Sequence, residues 1–187
     1  MGKKMFLLLA DGFEEVEALT PVDYLRRAEI DVATVSISGS LTVTGAHNVQ
    51  VTADMPIRNL IGEGLGDGII LPGGLLGAKN IAASADVSLL IKKARQESLL
   101  ICAICASPAV ALVPTGILDN AAWTCYPGAE KDAGKAKETW REDRVVADGN
   151  IITSRAAGTA AEWSFKIIEK LLGAETRSRI AKSVLLE

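Results

Sequence analysis

The sequence predicts an α/β fold in which helices cover both faces of a mostly parallel sheet. Short apolar runs alternate along the chain with segments whose apolar residues recur at helical spacing. Such alternation is typical of strands joined by helical crossovers, which produce parallel pairing. The 187 residues, 49% of them hydrophobic, suffice for one domain with a sizeable core, and no repeat or linker divides them. We therefore expect a single domain over residues 1–187.

The first half of the chain predicts strands, one long helix and a hairpin. Residues 4–10, KMFLLLA, form an apolar run that indicates the first strand. Residues 14–28 have helical spacing, and their acidic start suits the positive end of a helix dipole. The later predicted elements are a strand at 31–37, a hairpin from 41–45 and 48–54, and a strand that runs into glycines at 68–74.

The second half continues the alternation. Residues 84–98 predict a helix, because apolar positions recur at helical spacing and basic residues lie toward its end. The apolar run that begins at Ser98 predicts a strand that passes directly into a helix reaching Val113. The remaining predicted elements are a polar segment from Tyr126 to Arg144, a pair of short strands in 144–154, and a helix from about Thr159 to Leu172.

Composition and charge exclude several classes of protein. The formal net charge is −3, and lysine and arginine are scattered along the chain, so we expect no nucleic-acid partner. The N-terminal apolar run MFLLLA is too short to span a bilayer, and no small-residue cleavage pattern follows it. We therefore expect a soluble, cytoplasmic protein without a membrane partner.

The cysteine and histidine counts argue against disulfides and zinc. Three cysteines are an odd number, and nothing else indicates secretion, so a disulfide framework is not expected. His47 is the single histidine, and the Cys102 and Cys105 pair has no second ligand pair at metal spacing. We expect neither a metal nor a cofactor.

Cys105 is the first candidate for chemistry, because it stands where a predicted strand ends. Ligand sites of parallel sheets lie at the carboxyl ends of the strands. Ala106 and Ser107 are small enough for a tight turn, and Pro108 suits a first helical turn. The pattern resembles the nucleophile elbow of hydrolases, and a helix N-terminus would make the thiol more acidic than free cysteine. The alternative interpretation is a small buried hydrophobic residue.

A thioredoxin-like pair of Cys102 and Cys105 is a second interpretation. Cys102 lies within the apolar run, so three strand steps would separate the two Cα atoms by about 10 Å, beyond disulfide reach. The odd spacing would also point the two side chains to opposite faces of the sheet. We expect Cys102 in the core. Cys125 either lines the pocket or ends a strand, and the sequence leaves both alternatives open.

The acid–base partner of the thiol has candidates of two kinds. His47 falls at the tip or return of the predicted hairpin, where a histidine usually lies in water, so a Cys-His triad is disfavoured. Glu14, Glu15 and Glu17 fall in or near the first turn of the predicted helix, where carboxylates commonly only complement the dipole. At least two of these three glutamates should only complement the helix dipole. A carboxyl group beside the thiol is tolerable when it keeps its proton and donates a hydrogen bond.

Four blocks of the sequence together resemble one family. ICAICASP, ADGFEEVEALTPVDYLRRA, LPGGLLGAKN and ITSRAAGTA are similar to the ThiJ/PfpI superfamily, in the branch of the parkinsonism-associated protein deglycase and its bacterial homologues. The resemblance implies a flavodoxin-like three-layer sandwich and a homodimer, and a mean hydropathy of +0.25 also favours a partner for apolar surface. It further implies that Cys105 is the reactive cysteine and Glu17 its acidic partner. The glycines of its PGG block match Gly73 and Gly74.

The residues that match the family predict how a substrate would be held. The positions that differ from related families narrow the class of reaction. The N–H groups of Gly74 and Ala106 would face a developing oxyanion. The protease-like branch has histidine where Ala106 stands, and amidotransferases need a histidine downstream, so neither activity is expected. Tyr126 replaces a pocket histidine of the human-like members, which places the acid–base work on Glu17. The position of His47 lies near the partner subunit's site in relatives, which implies an auxiliary role.

We therefore expect a cofactor-independent glyoxalase or protein deglycase. The Cys105 thiolate would attack the aldehyde of glyoxal or methylglyoxal, or an early adduct on a glycated side chain, and Glu17 would move protons until a 2-hydroxy acid is released. The alternative is an oxidative-stress sensor or redox-regulated chaperone that uses the same oxidisable cysteine.

Overall fold

The computed structural model describes residues 2–186 and shows strands and helices alternating along the chain. The strands are β1 Lys4–Leu9, β2 Asp31–Ser36, β3 Thr42–Thr44, β4 Gln50–Thr52, β5 Met55–Pro56, β6 Gly68–Leu71, β7 Leu100–Ile104, β8 Val145–Asp148 and β9 Ile151–Ser154. The helices are α1 Glu15–Arg27, α2 Ile57–Glu63, α3 Leu75–Ala83, α4 Ala85–Gln96 and α5 Ala160–Ser183.

The main sheet is mostly parallel, as the alternation predicts. Within the described residues its strand order is β5-β2-β1-β6-β7-β9-β8, and β3 pairs with β4 in a separate hairpin. The pairs that involve β1, β2, β5, β6 and β7 are parallel, whereas β8 runs antiparallel to β9. The carboxyl ends of β1, β6, β7 and β9 therefore lie at one edge of the sheet, where the candidate site is expected.

Apolar side chains alternate between two cores, one on each face of the sheet. In β1, Phe6 and Leu8 belong to one core, and Met5 and Leu7 belong to the other. The first core also receives apolar residues from α3 and α4, and the second receives them from α1 and α5. Burial on both faces explains why β1 is a nearly continuous apolar run. The result is the three-layer α/β sandwich that the sequence predicts.

Several helix boundaries differ from the sequence prediction. The prediction omitted α2 and α3, which are only seven and nine residues long, so each is too short for a helical period to stand out. The last helix was predicted to end at Leu172, but it continues to Ser183 after a break at Gly173, whose φ of 85° and ψ of 168° are not helical. Glycine tolerates that backbone geometry, which allows a second helical stretch to follow.

The segment after β7 is not the regular helix that the sequence predicts. Residues Pro108–Leu112 form a wide π-type turn, and the N–H of Val113 donates to the carbonyl of Pro108. Val113–Thr115 then form a tighter 3₁₀ turn that ends at Gly116, which has a φ of 74°. The polar segment after Tyr126 also contains 3₁₀ turns, at Ala129–Asp132 and Gly134–Thr139.

None of the helices in residues 2–186 has both the length and the apolar character that a bilayer-spanning segment needs.

Candidate active site

Cys105 occupies a strained turn at the carboxyl end of β7. Its φ is 62°, a left-handed conformation that is unfavourable for a residue with a Cβ. Hydrogen bonds on both sides hold this turn: the N–H of Cys105 donates to the carbonyl of Ser154 at 3.0 Å, and its carbonyl accepts from the N–H of Tyr126 at 2.8 Å. The nucleophile elbow that the sequence predicts is therefore present, and its half-buried thiol lies at the sheet edge.

The elbow also changes the direction of the Cys105 side chain. Cys102 and Ile104 both belong to the core beneath α1 and α5, and Cys105 packs against the same core. The expectation that Cys102 and Cys105 face opposite sides of the sheet is wrong, because the positive φ of Cys105 ends the strand alternation. Cys102 is a fully buried core residue with a free thiol, as the sequence predicts.

Glu17 is the carboxyl group that meets the thiol. It lies in the first turn of α1, is 1% exposed, and hydrogen-bonds to the Cys105 side chain. Its Oε2 accepts the N–H of Gly73 at 3.1 Å, and the backbone of Ala157 lies near enough to this carboxyl group to lower its pKa. Burial raises the pKa of Glu17 to about 7, against the opposing effect of the hydrogen bond with Cys105. Glu17 can therefore exchange a proton near neutral pH.

The Cys105 thiol is less acidic than the sequence suggested. Burial, followed by the charge of Glu17, raises the pKa of Cys105 to about 12, although the N–H groups of Gly74 and Ala106 lower it. The expectation of a thiol more acidic than free cysteine is therefore wrong for a site in which Glu17 is ionised. Two buried groups in contact carry one negative charge between them, so the thiolate forms when its proton passes to Glu17.

Two glycines shape the space around this pair. A Cβ on Gly73 would overlap the Glu17 carboxylate and the Cβ of Cys105, so a side chain at this position would displace both groups. Gly74 has a φ of 83°, and a Cβ there would overlap the carbonyl of Gly12. The structure thus places Gly73, Gly74 and Ala106 against the thiol and carboxyl groups, with N–H donors directed at both.

His47 lies away from the thiol, at the turn between β3 and β4. Its Nδ1 is 2.9 Å from Oε2 of Glu15 and 3.6 Å from Oε1 of Glu14, and its side chain is 69% exposed. The backbone N–H of His47 donates to Oε1 of Glu15 at 2.7 Å. The hydrogen bond of the His47 ring to the Glu15 carboxylate, followed by the charges of Glu14 and Glu15, raises the pKa of His47. Glu15 therefore anchors the hairpin, and His47 contacts neither Cys105 nor Glu17 through any bond that the structure shows.

The same three side chains are the group best suited by composition to hold a cation. Potential ligand atoms of Glu14, Glu15 and His47 lie within 4.8 Å of one another, and no other such trio occurs in residues 2–186. The two features that argued against zinc, the single histidine and the spacing of Cys102 and Cys105, carry no signal for this group of two carboxylates and one histidine. The ion pair between His47 and Glu15 accounts for the arrangement, and we assign no metal to it.

Tyr126 and Cys125 are neighbours in the chain, but the Tyr126 side chain is exposed and Cys125 is buried. Tyr126 meets the elbow through its backbone N–H, which donates to the carbonyl of Cys105. Cys125 is fully buried, with its thiol 3.4 Å from the carbonyl of Tyr126, and burial raises its pKa to about 12. Cys125 therefore belongs to the core rather than to an open pocket.

Two further residues of the site were not identified from the sequence. The backbone of Ala157 lies near the Glu17 carboxyl group and lowers its pKa, and Ser107 donates its hydroxyl to the carbonyl of Pro72. Ala157 lies in the block ITSRAAGTA, directly after β9, which pairs with β7. The small residues of that block were a usable signal, but its proximity to the elbow depends on the strand order, which the sequence does not show.

Comparison with known proteins gives a consistent match over nearly the whole chain. The model of the DJ-1/PfpI family matches residues 3–170. The "Parkinson disease protein 7 homolog" of Danio rerio is 38% identical over 188 residues, which cover 100% of this chain and 98% of that protein. A protein of Pyrococcus abyssi that is named a deglycase is 28% identical over 168 residues, which cover 90% of this chain and 99% of that protein.

The chain also superposes closely on solved structures of DJ-1 proteins. The oxidized DJ-1 of Toxoplasma gondii superposes with a TM-score of 0.93 at 34% identity, covering 98% of each chain. The DJ-1beta of Drosophila melanogaster superposes with a TM-score of 0.89 at 34% identity, covering 99% of this chain and 98% of that one.

Proposed function

Because the chain belongs to the DJ-1/PfpI family, we propose that it is a cofactor-independent glyoxalase or protein deglycase that acts on glyoxal, methylglyoxal or their early adducts. The observation that carries this proposal is the buried contact between Cys105 and Glu17, surrounded by the N–H groups of Gly73, Gly74 and Ala106. A nucleophile, a base with a pKa of about 7 and donors for an oxyanion are the parts that addition to an aldehyde needs.

The first step is addition of the thiol to the aldehyde. The Cys105 sulfur forms a bond to the aldehyde carbon while its proton moves to the Glu17 carboxylate, so no free thiolate has to persist at neutral pH. The carbonyl oxygen becomes an oxyanion facing the N–H groups of Gly74 and Ala106. Glu17 then returns its proton to this oxygen, and the product is a hemithioacetal.

The second step moves hydrogen within the substrate. Glu17 removes the proton from the carbon bonded to sulfur, the neighbouring carbonyl becomes part of an enediol, and a proton returns to that neighbouring carbon. The product is a thioester of a 2-hydroxy acid. Water cleaves the carbon–sulfur bond of the thioester, which releases the acid and restores the thiol. The aldehyde carbon is oxidised and its neighbour is reduced, so no external oxidant is needed.

The deglycase version begins with an aldehyde that is already bound to a protein side chain. The aldehyde carbon of a hemithioacetal or aminocarbinol would form its bond to the Cys105 sulfur as its bond to the side-chain sulfur or nitrogen breaks. The Cys105 proton would pass through Glu17 to the departing thiol or amine, and the later steps would be the same. A relative that is named a deglycase supports this version. We treat both as one proposal, because free aldehyde in equilibrium with the adduct feeds the same thiol.

We also propose that the protein is a cytoplasmic homodimer. Val16 and Leu19 are exposed on α1, and Val49 is exposed on the hairpin, next to Glu15. These apolar side chains form a patch of the kind that a second copy covers. The free thiols of the described cysteines fit a reducing compartment.

The central test is turnover of methylglyoxal by the pure protein without glutathione. The wild type should form lactate steadily, Cys105→Ser should lose turnover to the level of free thiols, and Glu17→Gln should lose most of it. Cys102→Ala is the matched control, because it changes a core thiol two residues before Ile104 on the same strand. Turnover in Cys105→Ser equal to the wild type would overturn the proposal.

Redox sensing is a second candidate function, and the difference in solvent exposure among the three thiols favours it. Cys105 is half-buried, whereas Cys102 and Cys125 are buried, so peroxide has ready access to Cys105 alone. An oxidised Cys105 would find no nearby thiol to trap it and would proceed to a sulfinic acid, held by a hydrogen bond from protonated Glu17. Peptide mass spectrometry after graded peroxide should show this product, and a disulfide between Cys102 and Cys105 would contradict it.

A further inference from the structure

We propose that Ser107 is a positioning residue, whose hydroxyl orients the Pro72–Gly73 peptide group so that the Gly73 N–H holds Glu17 against the Cys105 thiol. This inference rests on the proposed function, since it concerns how that same site is held. Ser107 touches neither the thiol nor the carboxyl group through a bond that the structure shows, so its role passes through the backbone.

One peptide group links Ser107 to Glu17. The Ser107 hydroxyl is buried and donates to the carbonyl of Pro72, and the N–H of Gly73 donates to Oε2 of Glu17 at 3.1 Å. That carbonyl and that N–H belong to the same planar trans peptide, in which they point in opposite directions. Fixing the carbonyl end therefore fixes the direction of the N–H end.

The following peptide group is held in the same way, but without a side chain. The carbonyl of Gly73 accepts the N–H of Glu14 at 3.0 Å, and the N–H of Gly74 is directed at the Cys105 sulfur. Both peptides are thus anchored at the carbonyl and present the N–H to the site. Only the Pro72 carbonyl is anchored by a side chain, so this is the anchor that a substitution can remove without altering the backbone.

Loss of the Ser107 hydroxyl should free the first peptide to rotate. Gly73 has no Cβ, so its backbone dihedral angles are less restricted than those of any other residue type. The buried Pro72 carbonyl would lack its partner, which favours a turned peptide. The hydrogen bond at the carbonyl also polarises the N–H of the same group, so its loss weakens the bond to Glu17 even without rotation.

The charged and titratable groups around Glu17 define what the experiment should measure. They are Cys105 on the elbow and Glu14 at the start of α1, and the backbone groups that lower its pKa come from Gly73 and Ala157. A weaker bond from Gly73 destabilises the Glu17 carboxylate, so a higher pH is needed before Glu17 can accept the thiol proton. Alkylation of Cys105 reports this directly and does not require turnover.

The experiment compares Ser107→Ala with Ser164→Ala in the full-length protein. Ser164 is a matched control, because its buried hydroxyl donates to the carbonyl of Ala160 at 2.7 Å on α5, away from the site. Two quantities are measured: kcat and KM with methylglyoxal, and the pH dependence of Cys105 alkylation by iodoacetamide. Circular dichroism establishes that each variant is folded.

Ser107→Ala should lower kcat by about 10-fold or more with a small change in KM, because the chemistry loses orientation while substrate contacts remain. The midpoint of the alkylation profile should rise by about 0.5 to 1 pH unit. Ser164→Ala should leave both unchanged. A wild-type alkylation profile in folded Ser107→Ala, or equal changes in the two variants, would overturn the proposal. Failure of the wild type to exceed Cys105→Ser in turnover would instead refute the proposed function, and the alkylation profile would still decide the role of Ser107.

Discussion

Glu17 is kept in a place that is unfavourable for its charge. It is 1% exposed, and burial raises its pKa from an ordinary 4.5 to about 7. Between those values the folded protein binds more protons at this carboxyl group than the unfolded chain does. Stability should therefore fall as pH rises from about 4.5 to about 7 and then level off, which is opposite to the usual behaviour of an ion-paired carboxylate.

Replacing Glu17 should stabilise the protein at alkaline pH while removing activity. In Glu17→Gln the unfavourable ionisation is absent, so the free energy of unfolding at pH 8 should exceed that of the wild type by up to about 3 kcal/mol. The difference should shrink toward pH 5, where Glu17 keeps its proton. Urea denaturation at both pH values measures it, with the exposed Glu175→Gln as control. A constant difference across pH would show that Glu17 is not the group that titrates.

Gly73 should tolerate no side chain, because its Cα lies against both reacting groups. In Gly73→Ala the new Cβ would overlap the Glu17 carboxylate and the Cβ of Cys105. We expect kcat/KM to fall by roughly 100-fold or more, since displacement of about 1 Å has effects of that size. Gly39→Ala is the control, because no atom lies within 4 Å of a Cβ there. Near-normal turnover of methylglyoxal by Gly73→Ala would contradict this geometry.

At the scale of elements, the elbow between β7 and the turn Pro108–Leu112 stores backbone strain. Cys105 has a φ of 62°, which costs roughly 1–2 kcal/mol for a residue with a Cβ. Bonds to Ser154 and Tyr126 hold the turn in place. The positive φ turns the thiol away from the strand and toward the N–H groups of the neighbouring loop. The site is therefore formed at a cost in protein stability.

This strain predicts an inverted order of stability for two inactive variants. Cys105→Gly should be more stable than Cys105→Ala by about 1 kcal/mol, because glycine adopts a positive φ without penalty. At Ala103, which lies inside β7, glycine should instead destabilise the protein. Urea denaturation of the three variants measures both differences. If Cys105→Ala were the more stable of the first pair, the elbow would carry no strain.

At the scale of the molecule, apolar side chains remain on the surface beside the site. Val16 is 49% exposed on α1, and Val49 is 47% exposed on the hairpin that Glu15 holds in place. Burial of such a patch by a second copy would place an interface next to the first turn of α1, which carries Glu17. The interface proposed here and the candidate site would therefore share one helix.

A charge at the centre of this patch should separate the subunits. Light scattering should give the wild type twice the chain mass at micromolar concentration, and Val16→Asp should give the mass of one chain, because a carboxylate would be buried without a partner. Leu89→Asp is the control, since Leu89 is 64% exposed on α4, on a different helix. A monomeric wild type would refute the proposed dimer, and a dimeric Val16→Asp would place the interface elsewhere.

The sequence by itself determined the α/β alternation, the place of Cys105 at a strand end and the set of glutamates that could serve it. These features are local: apolar periodicity and turn chemistry act over a few residues. The helices α2 and α3 escaped prediction because seven and nine residues are too few for a local pattern to stand out, and helices this short depend on tertiary packing for their stability.

The family resemblance implied Glu17, but only the tertiary structure shows why this glutamate meets the thiol and how acidic that thiol is. Successive residues of a helix turn by about 100°, so Glu15 and Glu17 point in widely different directions, one to the hairpin and the other to Cys105. The strand order then brings Ala157 and Gly73 to the same carboxyl group. A pKa depends on burial and on the distance between charges, and both arise only when distant segments pack together.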